Sequence, residues 1–210
     1  MRRWRVLPFA ALAVCTASLG LAACGGGGSD APSSLQGVVR KPALQVGTVT
    51  LPDESPTAAG APFAMKAAPG GLLLVYFGYT NCPDVCPTTL SDIGQALRKL
   101  PAGDRDKVEV AFATIDPDRD SGEKLASYLD HFVDGGHALR TTDTTMLQNA
   151  EAAFNVTAKK VPEGTSYSMD HTAITFVVDD TGKVVVEWPF GTDAKTMAGD
   201  LQLLLSRGTT

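Results

Sequence analysis

The segment from Leu72 to Leu90, which reads LLLVYFGYTNCPDVCPTTL, most constrains the fold of this chain. Its first eight residues are apolar and rich in aromatic and branched side chains, which is typical of a strand buried on both faces of a parallel sheet. Turn-forming residues then end the strand, and Pro87 is placed to open a helix because its fixed φ suits the first turn. The pattern predicts that Cys82 and Cys86 lie on a loop at the N-terminus of a helix.

This predicted position indicates that the two cysteines are ligands or redox groups. A helix N-terminus presents unpaired N–H groups and a partial positive charge, which favour a thiolate over a thiol. A disulfide between residues four apart closes so small a loop that it constrains the unfolded chain little. A purely structural bridge is therefore a weak explanation for the pair.

Residues 1–23 have the composition of an export signal. They contain three arginines, then an apolar run, and no acidic residue, which predicts a signal peptide. The segment ends in Leu21-Ala22-Ala23-Cys24, which resembles the lipobox of bacterial lipoproteins, in which the signal is removed before a cysteine that carries the lipid. The alternatives are an uncleaved membrane anchor and a plain secretory signal, but the apolar run is short for a span and a linker follows Cys24 directly.

Composition separates a predicted linker, residues 24–34 (CGGGGSDAPSS), from a predicted folded domain, residues 35–210. The chain is 44% hydrophobic with a net charge of -5, which argues against a nucleic-acid partner. Loss of the signal would leave 15 basic and 23 acidic residues, so attachment to anionic lipids by charge is not expected. We therefore expect lipid anchoring through Cys24 at the extracytoplasmic face of the bacterial cell membrane.

The order of the predicted elements indicates an α/β, thioredoxin-like fold, with a mixed sheet flanked by helices. Two hydrophobic strands joined by one helix make the sheet at least partly parallel, and a hairpin and a final helix follow. We expect residues 52–71 to be a loop. The predicted strands cover Leu44–Leu51, Leu72–Tyr79, Lys107–Ile115, His171–Val178 and Lys183–Trp188, with a short strand also considered at His137–Arg140. In this architecture the cysteine loop and the start of the hairpin come close together, which brings His171 near the cysteines.

The DPDRD stretch, Asp116 to Asp120, is interpreted from its residues as a strand terminator. Asp120 or Ser121 is expected to cap the following helix, and Arg119 to pair with a carboxylate. No ligand role is assigned to it. His131 and His137 lie far in sequence from the cysteine loop and are interpreted as solvent-exposed surface residues.

Three motifs resemble the Sco/SenC family of copper proteins, which help to assemble cytochrome c oxidase. Residues 76–87 (YFGYTNCPDVCP) carry the strongest resemblance, although Asn81 stands where many members have histidine. Residues 116–120 (DPDRD) resemble the family's DPxRD loop. Residues 170–173 (DHTA) resemble the segment that supplies its histidine ligand.

The resemblance implies that Cys82, Cys86 and His171 bind one copper ion per chain, as Cu(I) or Cu(II). The donor types agree with this, because thiolates select soft ions and a site with two sulfurs and one imidazole suits Cu(I). Zinc would require a fourth ligand. The implied partner is the copper-bearing subunit of cytochrome c oxidase or another copper carrier.

Two functions remain open at this point. The first is a copper metallochaperone, not an enzyme, that assists assembly of the oxidase's dinuclear copper site. The alternative is a membrane-tethered thiol-disulfide reductase that acts on the cysteines of that site. Three residues separate Cys82 from Cys86, where thioredoxin-type enzymes usually have two. Those enzymes also have a proline just before the hairpin strand, where this chain has none. Both differences favour metal binding over disulfide exchange. The two functions use the same thiols, and reversible disulfide formation would control copper binding.

Overall fold

The computed structural model describes Met1 and residues 34–208. The rest of the predicted signal peptide, Cys24 and most of the predicted linker lie outside the described residues. The strands are β1 (Thr50–Asp53), β2 (Ala61–Ala64), β3 (Leu72–Gly78), β4 (Val108–Thr114), β5 (His137–Leu139), β6 (Ala158–Glu163), β7 (Ser166–His171), β8 (Ile174–Val178) and β9 (Val184–Pro189). The helices are α1 (Val85–Lys99), α2 (Ala102–Arg105), α3 (Gly122–Asp130), α4 (Thr144–Ala153) and α5 (Ala194–Arg207).

Strand β3 is an interior strand, the fifth of seven in a mixed sheet with the order β2-β1-β5-β4-β3-β8-β9. It pairs in parallel with β4 and antiparallel with β8. All seven of its residues are buried, as expected for a strand with neighbours on both edges and cover on both faces. The predicted strand–helix–strand unit, and with it the mixed α/β sheet flanked by helices, is confirmed.

The prediction that residues 52–71 form a loop is wrong, because they contain β2. This strand pairs with β1 at the edge of the sheet, with Pro62 opposite Pro52. Proline cannot donate a backbone hydrogen bond to a neighbouring strand and is tolerated mainly in such edge positions. An edge strand that contains proline is therefore easily predicted as a loop. The strand predicted to begin at Leu44 begins only at Thr50, as β1.

The span predicted as one strand, His171 to Val178, contains the last residue of β7 and the whole of β8. Strand β7 ends at His171 and pairs with β6 in a separate two-stranded hairpin, and β8 begins at Ile174. The hairpin was not predicted because five of the six β6 residues are exposed, so the sequence lacks the apolar alternation of a half-buried strand. His171 therefore lies where this hairpin joins the main sheet.

The interpretation of His137 as an exposed surface residue is also wrong. The side chain is half-buried, and Nδ1 lies 2.7 Å from Oδ2 of the buried Asp53. His131 is exposed, as expected. Within residues 34–208, no helix is both long enough and apolar enough to cross a membrane.

Candidate metal centre

Cys82, Cys86 and His171 converge at one end of the sheet. Their sulfur and ring-nitrogen atoms all lie within 4.8 Å of one another, and His171 Nε2 is 3.7 Å from Cys86 Sγ. Cys86 is fully buried, whereas Cys82 has 9% of its surface exposed. The expected proximity of His171 to the cysteines is confirmed.

The start of α1 positions the two sulfurs. Asp84 precedes the helix, but its side chain makes no capping hydrogen bond. The Cys86 N–H instead donates to Cys82 Sγ at 3.3 Å. One of the free N–H groups at the helix N-terminus is therefore satisfied by sulfur, which favours negative charge on Cys82.

The last residue of β3 must be small for the helix to approach. A Cβ on Gly78 would lie 2.9 Å from Cys86 Sγ and 2.8 Å from the ring of Phe112. Real Cβ atoms essentially never make contacts this short. Glycine here allows the buried sulfur to pack directly against the end of the strand.

Hydrogen bonding fixes the orientation of His171. Its Nδ1 lies 3.0 Å from the carbonyl oxygen of Thr172, and a carbonyl can only accept, so Nδ1 carries the proton in the neutral ring. The rings of Tyr76 and Tyr79 meet the imidazole edge-on at centroid distances of 6.3 and 6.0 Å. Nε2 is thus held toward Cys86 with a lone pair available for a metal.

The DPDRD segment connects the cysteine loop to the strand that carries His171. Asp120 is fully buried and accepts hydrogen bonds from the backbone N–H of Thr80 at 3.0 Å and from Thr114 Oγ1 at 2.7 Å. Arg119 pairs with Asp116, as expected, and donates from Nη1 to the carbonyl oxygen of Tyr167 on β7 at 2.8 Å.

The sequence analysis did not predict that the DPDRD segment connects the cysteine loop to β7. The segment does follow the end of β4 at Thr114, and Ser121 caps α3, as the residues predicted. The available signal was the DPxRD resemblance, which placed charged residues directly after a buried strand. A buried carboxylate at such a place requires partners, and here they include Thr80 on the cysteine loop and Thr114 on β4.

The two thiols differ in charge. A hydrogen bond from Cys86, followed by smaller effects of the His171 side chain and of the backbone N–H groups of Cys86 and Asp84, lowers the pKa of Cys82 to about 4 against the opposing effect of burial. The same hydrogen bond to Cys82, together with burial, raises the pKa of Cys86. In the metal-free protein the pair therefore holds one thiolate, on Cys82, and one thiol, on Cys86.

We expect Cys82 alone to react with iodoacetamide in the reduced, metal-free protein. Only the thiolate is nucleophilic, so the rate should rise with pH through a midpoint near 4 and stay level from about pH 6 to about pH 8. Peptide mass spectrometry after timed quenching gives the rate at each cysteine. Cys86→Ala should move the midpoint upward. A midpoint near the ordinary thiol value in the unmodified protein would contradict the assignment.

The donor set restricts the chemistry of the site. Two sulfurs and one imidazole suit a soft ion of low coordination number such as Cu(I), whereas tetrahedral zinc would need another ligand. Both cysteines are free in the structure, so the same pair can also exchange with a disulfide. The three residues therefore fit both copper binding and dithiol chemistry.

Relatives of known structure share this fold. ScoI of Bradyrhizobium japonicum, solved with copper bound, is 34% identical with a TM-score of 0.63, and the alignment covers 74% of this chain and 96% of that one. Apo Sco1 of Thermus thermophilus is 30% identical with a TM-score of 0.67, covering 81% of this chain and 98% of that one. These neighbours confirm the thioredoxin-like fold.

Sequence relatives lead to the same family. The SCO2-like protein of Rickettsia conorii is 32% identical over 133 residues, which are 61% of this chain and 63% of that protein. The chain spans about 60% of the length of the curated relatives it matches. The SCO1/SenC family model matches residues 54–206, a range that contains both cysteines, the DPDRD segment and His171. The chain belongs to the SCO1/SenC family.

Proposed function

We propose that this protein is a copper metallochaperone that assists assembly of the dinuclear copper site of cytochrome c oxidase. The observation that carries the proposal is the convergence of two thiols and one imidazole within 4.8 Å. Bradyrhizobium japonicum ScoI, which has the same fold, was solved with copper bound. We expect the present protein to hold copper at Cys82, Cys86 and His171. It would exchange this copper with the copper-bearing subunit of the oxidase or with another copper carrier.

The three ligands differ in charge before the metal binds. Cys82 already carries a negative charge, and His171 presents a neutral nitrogen. Cys86 holds its proton when no metal is bound, so copper binding must release that proton. Two thiolates and one neutral nitrogen leave a Cu(I) site with a single net negative charge, which the surrounding N–H groups at the start of α1 stabilise.

A second candidate function is thiol-disulfide reduction of the cysteines in the target copper site. It is favoured by the pairing of a partly exposed thiolate, Cys82, with a fully buried thiol, Cys86. Cys82 would attack a partner disulfide and release one partner thiolate. Cys86, after losing its proton, would attack Cys82 Sγ and release the second. Two electrons pass to the partner, and this chain is left with a Cys82–Cys86 disulfide.

The experiment that tests copper binding compares the reduced and oxidised forms of the protein. We expect the reduced form to take up one Cu(I) per chain, and the form with a Cys82–Cys86 disulfide to take up none, because the metal requires thiolates. Thiol counting and metal analysis on the same samples measure this. A Cys24→Ser variant should behave like the unmodified protein. Full copper loading of the oxidised form would show that other residues bind the metal.

We also propose that the protein is tethered to the extracytoplasmic face of the membrane through a lipid on Cys24. The proposal is supported by the LAAC sequence and the glycine-rich residues that follow it. Mass spectrometry of the mature N-terminus should find an acylated Cys24 as the first residue. An intact Met1, or a free amine at another residue, would disprove the anchor.

A further inference from the structure

We propose that the thioether of Met169 is a fourth donor to the copper held by Cys82, Cys86 and His171. The inference rests on the proposed copper-binding function and extends it, because neither the two-cysteine motif nor the DHTA segment contains this residue. It concerns the side of the site that is open to solvent, where an incoming or departing ion must pass.

Met169 lines the cavity that opens onto the site. The cavity has a volume of about 320 Å³, and Cys82 and His171 also form part of its wall. Met169 is half-buried and packs against the hydrophobic core. It therefore borders both the core and the space through which the ion would enter.

Strand geometry places Met169 on the same side as His171. Successive side chains of a strand point to opposite faces, so residues 169 and 171 of β7 share one face, and His171 on that face reaches Cys86 at 3.7 Å. The Met169 N–H also donates to the hydroxyl of Tyr79 at 3.3 Å. Tyr79 contacts the His171 ring edge-on, so the backbone of Met169 is fixed against the wall of the site.

The chemistry of the cavity wall selects the thioether. The other side chains on this wall with strong donor atoms are the carboxylates of Asp84, Glu163 and Asp170, which are exposed and hard. Soft ions prefer sulfur, and a thioether adds no charge to a site that already has two thiolates. Methionine is also flexible enough to reach a nearby ion without movement of the backbone.

A direct test uses selenomethionine as the probe. The full mature protein is produced with selenomethionine, reduced, loaded with one Cu(I) and measured by X-ray absorption at the copper and selenium edges. We expect a copper–selenium scattering path. Because the mature protein keeps four of the five methionines, all except Met1, the path must disappear in Met169→Leu and persist in Met146→Leu, which changes an exposed methionine on α4.

A second measurement separates ligation from packing. Leucine keeps a similar apolar volume, so Met169→Leu should leave the unfolding midpoint and the reduction potential of the metal-free dithiol unchanged while weakening Cu(I) binding about tenfold in competition with a chelator. Full loading with unchanged affinity and no copper–selenium path would overturn the role of Met169 and leave the copper function standing. Failure of the reduced unmodified protein to bind Cu(I) would overturn both.

Discussion

Replacing His171 with alanine is expected to weaken Cu(I) binding by about a hundredfold, which corresponds to a few kcal/mol for one lost ligand of three. The stable Cu(II) form should be lost as well, because the site would keep only soft sulfur donors. The variant should still cycle between dithiol and disulfide, because the largest effect that lowers the Cys82 pKa is the hydrogen bond from Cys86, and the His171 side chain contributes less. Competition with a Cu(I) chelator, the dithiol reduction potential and oxidase activity in cells measure these effects.

The same variant separates the two candidate functions, which cysteine variants cannot do. Changing either cysteine removes copper binding and disulfide exchange together. His131→Ala is the matched control, because His131 is exposed and its Nδ1 lies 2.6 Å from the Ser127 carbonyl oxygen on its own helix. If His171→Ala cells retain normal oxidase activity, the chaperone proposal fails and the reductase becomes the better explanation. Lost activity in a variant that still cycles between dithiol and disulfide supports copper transfer.

The parts of the site that could be predicted from sequence are those specified by local signals. An apolar run followed by turn residues and Pro87 predicts a strand, a loop and a helix start at the cysteines. The helix begins two residues earlier than predicted, at Val85, so Cys86 lies in its first turn and only Cys82 lies on the loop. The place of His171 followed from topology, because a thioredoxin-like sheet brings the start of its hairpin beside that loop. The sequence did not predict that His171 ends β7, a strand separate from β8.

What could not be predicted depends on contacts between distant segments. Hairpin β6–β7 is largely exposed, so burial leaves no periodic pattern in its sequence. The hydrogen bond from Thr80 to Asp120 joins residues 40 positions apart, and that from Arg119 to Tyr167 joins residues 48 apart. Such pairs are consequences of the folded arrangement, and a single sequence does not show them.

Of these distant contacts, the one made by Asp120 should matter most for stability. Asp120→Ala is expected to lower the free energy of unfolding by about 3 kcal/mol, because it leaves the N–H and hydroxyl of Thr80 and the buried hydroxyl of Thr114 without their acceptor. The loop that carries Cys82 should also lose its attachment to β4. Urea unfolding of the metal-free protein measures the stability, and the iodoacetamide rate at Cys86 reports whether the buried sulfur has become accessible.

Asp118→Ala provides the matched control within the same DPDRD segment. The Asp118 side chain is 72% exposed and pairs with Lys160, which is also exposed, so its loss should leave the urea unfolding midpoint nearly unchanged. Asp120→Asn keeps the shape and one acceptor oxygen, and its stability should fall between the other two variants. If Asp120→Ala unfolds at the same urea concentration as Asp118→Ala, the buried carboxylate does not hold the loop. In that case the sulfur geometry of the metal centre must depend on the helix start and Gly78 alone.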